Sequence, residues 1–381
     1  MQYRKFGKLD WQASALGFGC MRLPTKGGDG ANIDEPEATR MLHYAIERGV
    51  NYLDTAYPYH GGNSERLVGR ALKGGYRQKV KLATKLPCWL VKTAGDFDQR
   101  LNEQLEKLQT DHIDFYLLHG LNKDRWPQML SLDVLTSAEK AMADGRIGHL
   151  GFSFHDKYEV FKEIIDGYDK WTLCQIQYNY MDVEEQAGTR GLNYAADKGL
   201  AVVIMEPIRG GALADHISPA VQMLWDSAPT RRTPADWALQ WVWHQPEVSV
   251  VLSGMSTMEQ VEQNLASAER SGVGALSAQE LALVDRVREA YRGLCAVPCT
   301  ACKYCLPCPN EVNIPRVFEI YNDYLMYGDA KRSRMFYGWL DEKTRADKCL
   351  ECEECLEKCP QKIEIPEWLK KADEVLAAPG S

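Results

Sequence analysis

The sequence predicts an α/β protein: a closed parallel (β/α)8 or TIM barrel, followed by a small, mainly helical domain. Three observations carry that expectation. First, eight short runs are rich in Val, Ile, Leu and aromatics: ALGFGCM (15–21), VNYLD (50–54), VKLATK (80–85), IDFYLLH (113–119), IGHLGFS (147–153), LCQIQYN (173–179), LAVVIME (200–206) and VSVVLSG (248–254). They read as strands buried on both faces, the pattern of a parallel sheet. Second, the stretches between them, such as PEATRMLHYAIERG, AGDFDQRLNEQLEKLQ and TMEQVEQNLASA, place apolar residues three and four apart, as helices do. Eight alternations point to a closed barrel, because open doubly wound sheets usually stop at fewer strands. Third, eight of the twelve cysteines fall between Cys299 and Cys359. The expected division is therefore 1–293 for the barrel and 294–381 for the cysteine-rich domain.

The composition, 45% apolar and 26% charged, is that of a globular protein able to build a large core. A formal net charge of −8 lacks the basic stripe that nucleic acid requires. No apolar run is long enough to span a bilayer, so a membrane partner is not expected. The opening MQYRKFGKLDWQAS has no apolar segment of the secretory kind, and the expected compartment is the cytoplasm. Cysteines in a reducing compartment are more often ligands than bridges.

Their spacing narrows the ligand. Cys349, Cys352, Cys355 and Cys359, followed by Pro360, have the C-x2-C-x2-C-x3-C-P spacing of a bacterial 4Fe-4S ferredoxin. Cys299, Cys302, Cys305 and Cys308, before Pro309, repeat it with the last gap one residue shorter. Zinc is the competing metal, but a zinc site needs only four ligands and often recruits His, and no His follows His244. In two-cluster ferredoxins the fourth Cys of each run serves the other cluster. The expectation is then one 4Fe-4S cluster on Cys299, Cys302, Cys305 and Cys359, and another on Cys308, Cys349, Cys352 and Cys355, with Cys295 in reserve should the short gap displace Cys308. The helical patterning of IPRVFEIYNDYLMYGD and SRMFYGWLDEKTR, between the motifs, resembles the helical kind of two-cluster ferredoxin.

In a parallel barrel, chemistry gathers where strands end at the carboxyl face. Four polar residues fall there: Asp54, Tyr59 in the loop after it, Lys85 and His119. Singly, each has an ordinary reading: a turn cap, an aromatic packing with Tyr52 and Tyr57, a solvated amine, a satisfied core imidazole. Together they suit reversible hydride transfer to a carbonyl. A phenol donates the proton, an ammonium tunes it, a carboxylate fixes the ammonium, and an imidazole orients the carbonyl oxygen.

DTAYPYHGGNSE (54–65), ATKLP and DFYLLHG resemble the signatures of the aldo-keto reductases, and the resemblance covers residues 1 to about 293. It implies that Tyr59 is the general acid, Lys85 and Asp54 its tuning pair, and His119 the substrate-orienting group, with Tyr57 a decoy. It also implies a nicotinamide site. Ser153 and Gln175 fall where the family holds the carboxamide, while Phe154 replaces the usual Asn and Met205 the usual stacking aromatic. MEPIRGGAL, with Met205, Pro207, Gly210, Gly211 and Leu213, is similar to the pyrophosphate loop. SGMSTMEQVEQN, with Gly254, Ser256, Gln260, Gln263 and Asn264, is similar to the adenosine segment. Gly254 and Gln260 stand where basic residues commonly grip a 2′-phosphate, so the cofactor is NADP or NAD with a weakened preference for the former. Met21, Arg22, Trp89 and Trp126 are expected to rim the pocket.

Three functions follow from these features. One is a redox enzyme coupling NAD(P)H, a small carbonyl or alcohol, and two clusters that relay electrons to a carrier of ferredoxin or flavodoxin type. Another is a barrel enzyme fed through the clusters alone, which Phe154, Met205, Gly254 and Gln260 favour. The third is a non-catalytic electron-carrying or docking subunit. A homodimer is compatible with all three.

Overall fold

The computed structural model describes residues 1–215 and 217–378. Contacts divide the chain into two compact units, 1–209 with 236–277, and 210–235 with 278 onward.

The first unit opens with an antiparallel hairpin, β1 (Tyr3–Lys5) and β2 (Gln12–Ser14), which the sequence pattern did not announce. A closed barrel follows, made of β3 (Leu16–Gly19), β4 (Tyr52–Asp54), β5 (Lys81–Leu86), β6 (Ile113–Leu121), β7 (Ile147–Phe154), β8 (Leu173–Gln177), β9 (Ala201–Met205) and β10 (Val248–Ser253). Neighbours pair in parallel, and β10 closes onto β3. These strands form where expected because residues buried on both faces must be apolar throughout. Inside, Tyr52, Ala83, Phe115, Leu117, Leu173, Val203 and Val250 interdigitate, with Phe6 of the hairpin segment packed against them. Ala13 of β2 joins the same core, with Leu9 and Trp11 of the turn packed against it. Outside, helices such as Asn63–Ala71 and Asp96–Leu108 pack closely at Gly69, where a Cβ would meet the Leu108 carbonyl at 2.6 Å.

The second unit gathers helices Pro219–Asp226, Ala278–Gly293, Ile314–Tyr327, Ala330–Gly338 and Ile365–Leu376. The helix Ala278–Gly293, placed with the barrel by the sequence reading, thus groups by contacts with the cysteine-rich segment. Val312, Val317, Phe318, Ile320, Ile363 and Leu369 form its core, and several cysteines pack against it. Asn322 clamps the approach to Cys299: its side chain accepts from Val297 N at 3.1 Å and donates to Val297 O at 2.8 Å. Among the described residues no helix is long and apolar enough to cross a membrane.

Candidate functional site

Lys85, at the carboxyl end of β5, is 1% exposed, and its ammonium is held by three acceptors. Nζ donates to Asp54 Oδ1 at 2.6 Å and to the Thr55 carbonyl at 2.8 Å, and lies 3.4 Å from the Tyr59 hydroxyl. Gln175 Nε2 donates to the other Asp54 oxygen at 3.2 Å. A buried charge survives only when its partners replace water, and this set does so. Burial works against the Lys85 ammonium, but Asp54 and Tyr59 outweigh it and hold the group above its ordinary value. Burial also raises Asp54 and Tyr59, against the opposing pull of Lys85 on both, so the phenol stays protonated at neutral pH.

His119 faces Tyr59 edge-on, with ring centroids 6.2 Å apart, and Trp89 lies 5.1 Å from its other side. Burial, with Lys85, His155 and Arg125 nearby, drives its value well below the usual 6.5, so the imidazole is neutral. Its Nδ1 is buried with no hydrogen-bond partner among the described residues. Tyr57 is engaged elsewhere: its hydroxyl donates to Glu103 at 3.0 Å, and Lys107 Nζ sits 3.8 Å over its ring.

A polar network that the sequence did not reveal supports β5. Gln104 Nε2 donates to Glu65 Oε1 at 2.5 Å and to the Lys85 carbonyl at 3.0 Å, while Thr84 and Tyr116 donate to Glu65 and Gln104 at 2.7 Å each. All four are fully buried. Of the expected rim, Trp126 is instead buried in the helical layer against Trp171, because its indole is large enough to need that interior.

The residues expected to hold nucleotide fall in three places. Ser153 and Gln175 are register partners on β7 and β8, and the Ser153 hydroxyl accepts from Gly120 N at 2.8 Å. Phe154 is buried against Phe161. Met205 ends β9, and the turn around Pro207 runs through left-handed backbone at Glu206, Arg209, Gly210 and Gly211, the last with φ 109°. Successive left-handed residues turn amides to one side, a conformation suited to phosphate oxygens. Leu213 is buried. After β10, Asn264 donates to Ser253 at 2.9 Å, Ser256 N donates to Gln260 at 2.8 Å, and Gln263 bonds Glu259 on an exposed helix face.

The structure adds a cation here. A Cβ on Gly254 would meet Arg22 side-chain carbons at 3.2 to 3.3 Å, and Ser256 Oγ donates to the Arg22 carbonyl at 2.8 Å. Arg22 is distant in sequence, so no local pattern signals it.

In the second unit the eight motif cysteines border two cavities. One is lined by Cys308, Cys349, Cys352 and Cys355, with Cys305 also at its edge. The other is lined by Cys299, Cys302, Cys305 and Cys359. Cys295 lines neither. Burial pushes Cys305 up to about 11, helped by Cys299, Cys302 and Cys359; it pushes Cys355 up to about 11, helped by Cys349, Cys308 and Cys352. Each motif's last cysteine thus meets the other motif's first three. Four thiolates facing one another repel, and a cationic iron core relieves that repulsion. Among the described residues no three such groups converge as on a single metal ion.

Comparisons with known proteins agree with both halves. The aldo/keto reductase family model matches residues 15–289, and a 4Fe-4S dicluster domain matches residues 298–364. The chain is 25% identical to L-galactose dehydrogenase of Arabidopsis thaliana, over 77% of this chain and 96% of that protein. It is 27% identical to the oxidoreductase YqkF of Bacillus subtilis, over 70% of this chain and 91% of that one. A solved aldo-keto reductase from Bacillus halodurans, in its holo form, superposes with a TM-score of 0.63 at 29% identity, over 75% of this chain and 96% of that one. With the model spanning most of the chain and the barrel closing as the strands required, this oxidoreductase belongs to the aldo/keto reductase family and carries a 4Fe-4S ferredoxin-like domain behind its barrel.

Proposed function

We propose that the protein catalyses reversible hydride transfer between NAD(P)H and a small carbonyl or alcohol, with two 4Fe-4S clusters relaying single electrons. The observation that carries this reading is the Lys85 ammonium, 2.6 Å from Asp54 and 3.4 Å from the Tyr59 hydroxyl, beside a neutral His119. Tyr59 holds a proton at its phenol oxygen and delivers it to the carbonyl oxygen as charge develops there. Lys85, fixed by Asp54, stabilises the phenolate left behind. His119, neutral beside Tyr59, would orient the substrate oxygen through its imidazole. Ser153, Gln175, the 205–213 loop and the 254–264 segment would hold the nicotinamide nucleotide, which supplies or accepts the hydride when bound. Arg22 beside Gly254 is the residue to discriminate NADP from NAD.

The crossed sets of four cysteines would hold the two clusters, and a ferredoxin- or flavodoxin-type carrier in the cytoplasm would exchange electrons with them. The family-model boundaries support a barrel domain of 1–293 and a cluster domain of 294–381. Phe154, buried against Phe161 and lacking the amide that the family's usual Asn would offer the carboxamide, favours a second reading in which electrons reach the barrel through the clusters alone.

Titrating anaerobic protein with NADH and NADPH, followed by absorbance, separates the two. Bleaching of the cluster bands, or nucleotide oxidation on adding a carbonyl, supports the first. Silence toward both nucleotides, with activity from a one-electron donor, supports the second.

A further inference from the structure

The cysteine-rich unit is an internal repeat in which two matched positions carry opposite charge, Lys303 against Glu353 and Glu311 against Lys362. Six residues with side chains adopt left-handed backbone at matching places: Ala301, Lys303 and Glu311 in the first half, Glu351, Glu353 and Lys362 in the second. The hydrogen bonds match as well. Leu306 N donates to Lys303 O and Leu356 N to Glu353 O, both at 2.9 Å; Glu311 N donates to Cys308 O at 2.9 Å and Lys362 N to Cys359 O at 3.0 Å. Each half then enters a helix through Ile-Pro, at Ile314 and Ile365. Since the backbone is the same in both halves, the charge at these exposed positions is free to differ.

Crossing of the fourth cysteines sorts those charges. Cys359 belongs with Cys299, Cys302 and Cys305, so Lys362 joins Lys303, with Ala301 at the third position. Cys308 belongs with Cys349, Cys352 and Cys355, so Glu311 joins Glu351 and Glu353. Among these positions, two ammonium groups stand within three residues of one cysteine set and three carboxylates within three of the other; Lys303 lines the first cavity, and Glu353 lines the second beside the Glu354–Lys358 pair. Other nearby charges are largely paired. Lys358 lies 3.6 Å from Glu354, Arg316 2.6 Å from Glu319, and Lys348 2.5 Å from Asp347; Lys343, 3.6 Å from Glu311, offsets only that carboxylate. Lys303, Lys362, Glu351 and Glu353 have no ion-pair partner among the described residues.

Resting on the two-cluster reading, we propose that this opposition orders the clusters in potential: the one on Cys299, Cys302, Cys305 and Cys359 accepts an electron first, and the one on Cys308, Cys349, Cys352 and Cys355 second. Carboxylates disfavour an added negative charge and ammonium groups favour it, and cluster potential follows net charge and exposure. An electron that enters at the acidic set passes to the basic set, oxidising the first by one electron and reducing the second by one.

The test is an anaerobic redox titration of the reconstituted full chain with dithionite, followed by electron paramagnetic resonance. A unit charge at about 8 Å near a wet surface shifts the reduced-to-oxidised ratio roughly threefold. Glu353→Lys, a change of two units, should raise the lower midpoint by roughly tenfold in that ratio, about 59 mV for one electron, and leave the upper nearly in place. Lys303→Glu should lower the upper midpoint by a similar amount. Glu353→Gln, a milder change, should give about half the Glu353→Lys shift. Added salt should narrow the gap, because these charges are exposed. If Glu353→Lys moves the upper step, or neither variant moves its own, the ordering is wrong. An iron and sulfide count on the same samples distinguishes the failures: fewer than two clusters per chain overturns the two-cluster reading and this inference with it, whereas a full count with unresponsive midpoints overturns this inference alone.

Discussion

Tyr57 and Tyr59 stand two positions apart and meet different fates: one is bonded to Glu103, the other turned toward Lys85. Tyr59→Phe removes only a hydroxyl, and we expect carbonyl reduction to fall on the order of a hundredfold or more while nucleotide binding is nearly unchanged, since a general acid acts on the chemical step. Tyr57→Phe should be mild in the same steady-state assay. A crippled Tyr57→Phe beside a healthy Tyr59→Phe would transfer the role. The pH dependence has a definite sign. Because burial holds Tyr59 above its ordinary value near 10, its proton is present throughout the neutral range, and reduction should decline only on the alkaline side. His119, held well below 6.5, should show no imidazole titration between about pH 6 and 8 by NMR. At this scale the sequence was readable where a residue's role follows from a strand end, as for Asp54, Lys85 and His119. It offered Arg22 only as a rim residue and not as a neighbour of Gly254, because that approach depends on the barrel closing β10 onto β3. Replacing Arg22 by Gln should weaken NADPH binding more than NADH binding; equal losses would remove it from the 2′-phosphate.

Strands and helices were legible because the barrel buries its strands on both faces, which leaves an unbroken apolar run at each. The β1–β2 hairpin was not, since YRK and QAS are short and largely polar, and only the lone Ala13 within them joins the core alongside Phe6. The network of Glu65, Thr84, Gln104 and Tyr116 was also hidden, because its members sit on different elements and only folding brings them together. Gln104→Ala would leave Glu65, the Lys85 carbonyl and the Tyr116 hydroxyl short of partners at once. Leaving a buried polar group unsatisfied costs about 1 to 3 kcal/mol, so we expect a loss of that order in denaturant unfolding, together with reduced turnover as β5 loosens under Lys85. Unchanged stability would mean that water takes the vacated place.

Across the whole molecule, the sequence set two kinds of signal side by side, strand–helix alternation and cysteine spacing, and both survive in the fold. The boundary between them was harder to read. Helix Ala278–Gly293 has ordinary helical patterning, and nothing in it tells which unit its apolar face will join. The crossed cysteines yield the prediction at this scale. Anaerobic protein should carry about eight iron and eight sulfide. Cys359→Ser should lose the same spectral component as Cys299→Ser, although the two are far apart in the chain, while Cys352→Ser should lose the other. If Cys359→Ser instead resembles Cys352→Ser, the pairing is uncrossed. The crossing also bears on how the protein is made. A ribosome delivers Cys299, Cys302 and Cys305 first, yet their fourth partner is Cys359, the last cysteine to emerge. The earliest ligands must therefore wait, open and oxidisable, until the second motif is out, and the assembly machinery has no complete site to load until then. Two clusters held this way would be born together, and a nick between the motifs would leave each side with three ligands of one set and one of the other.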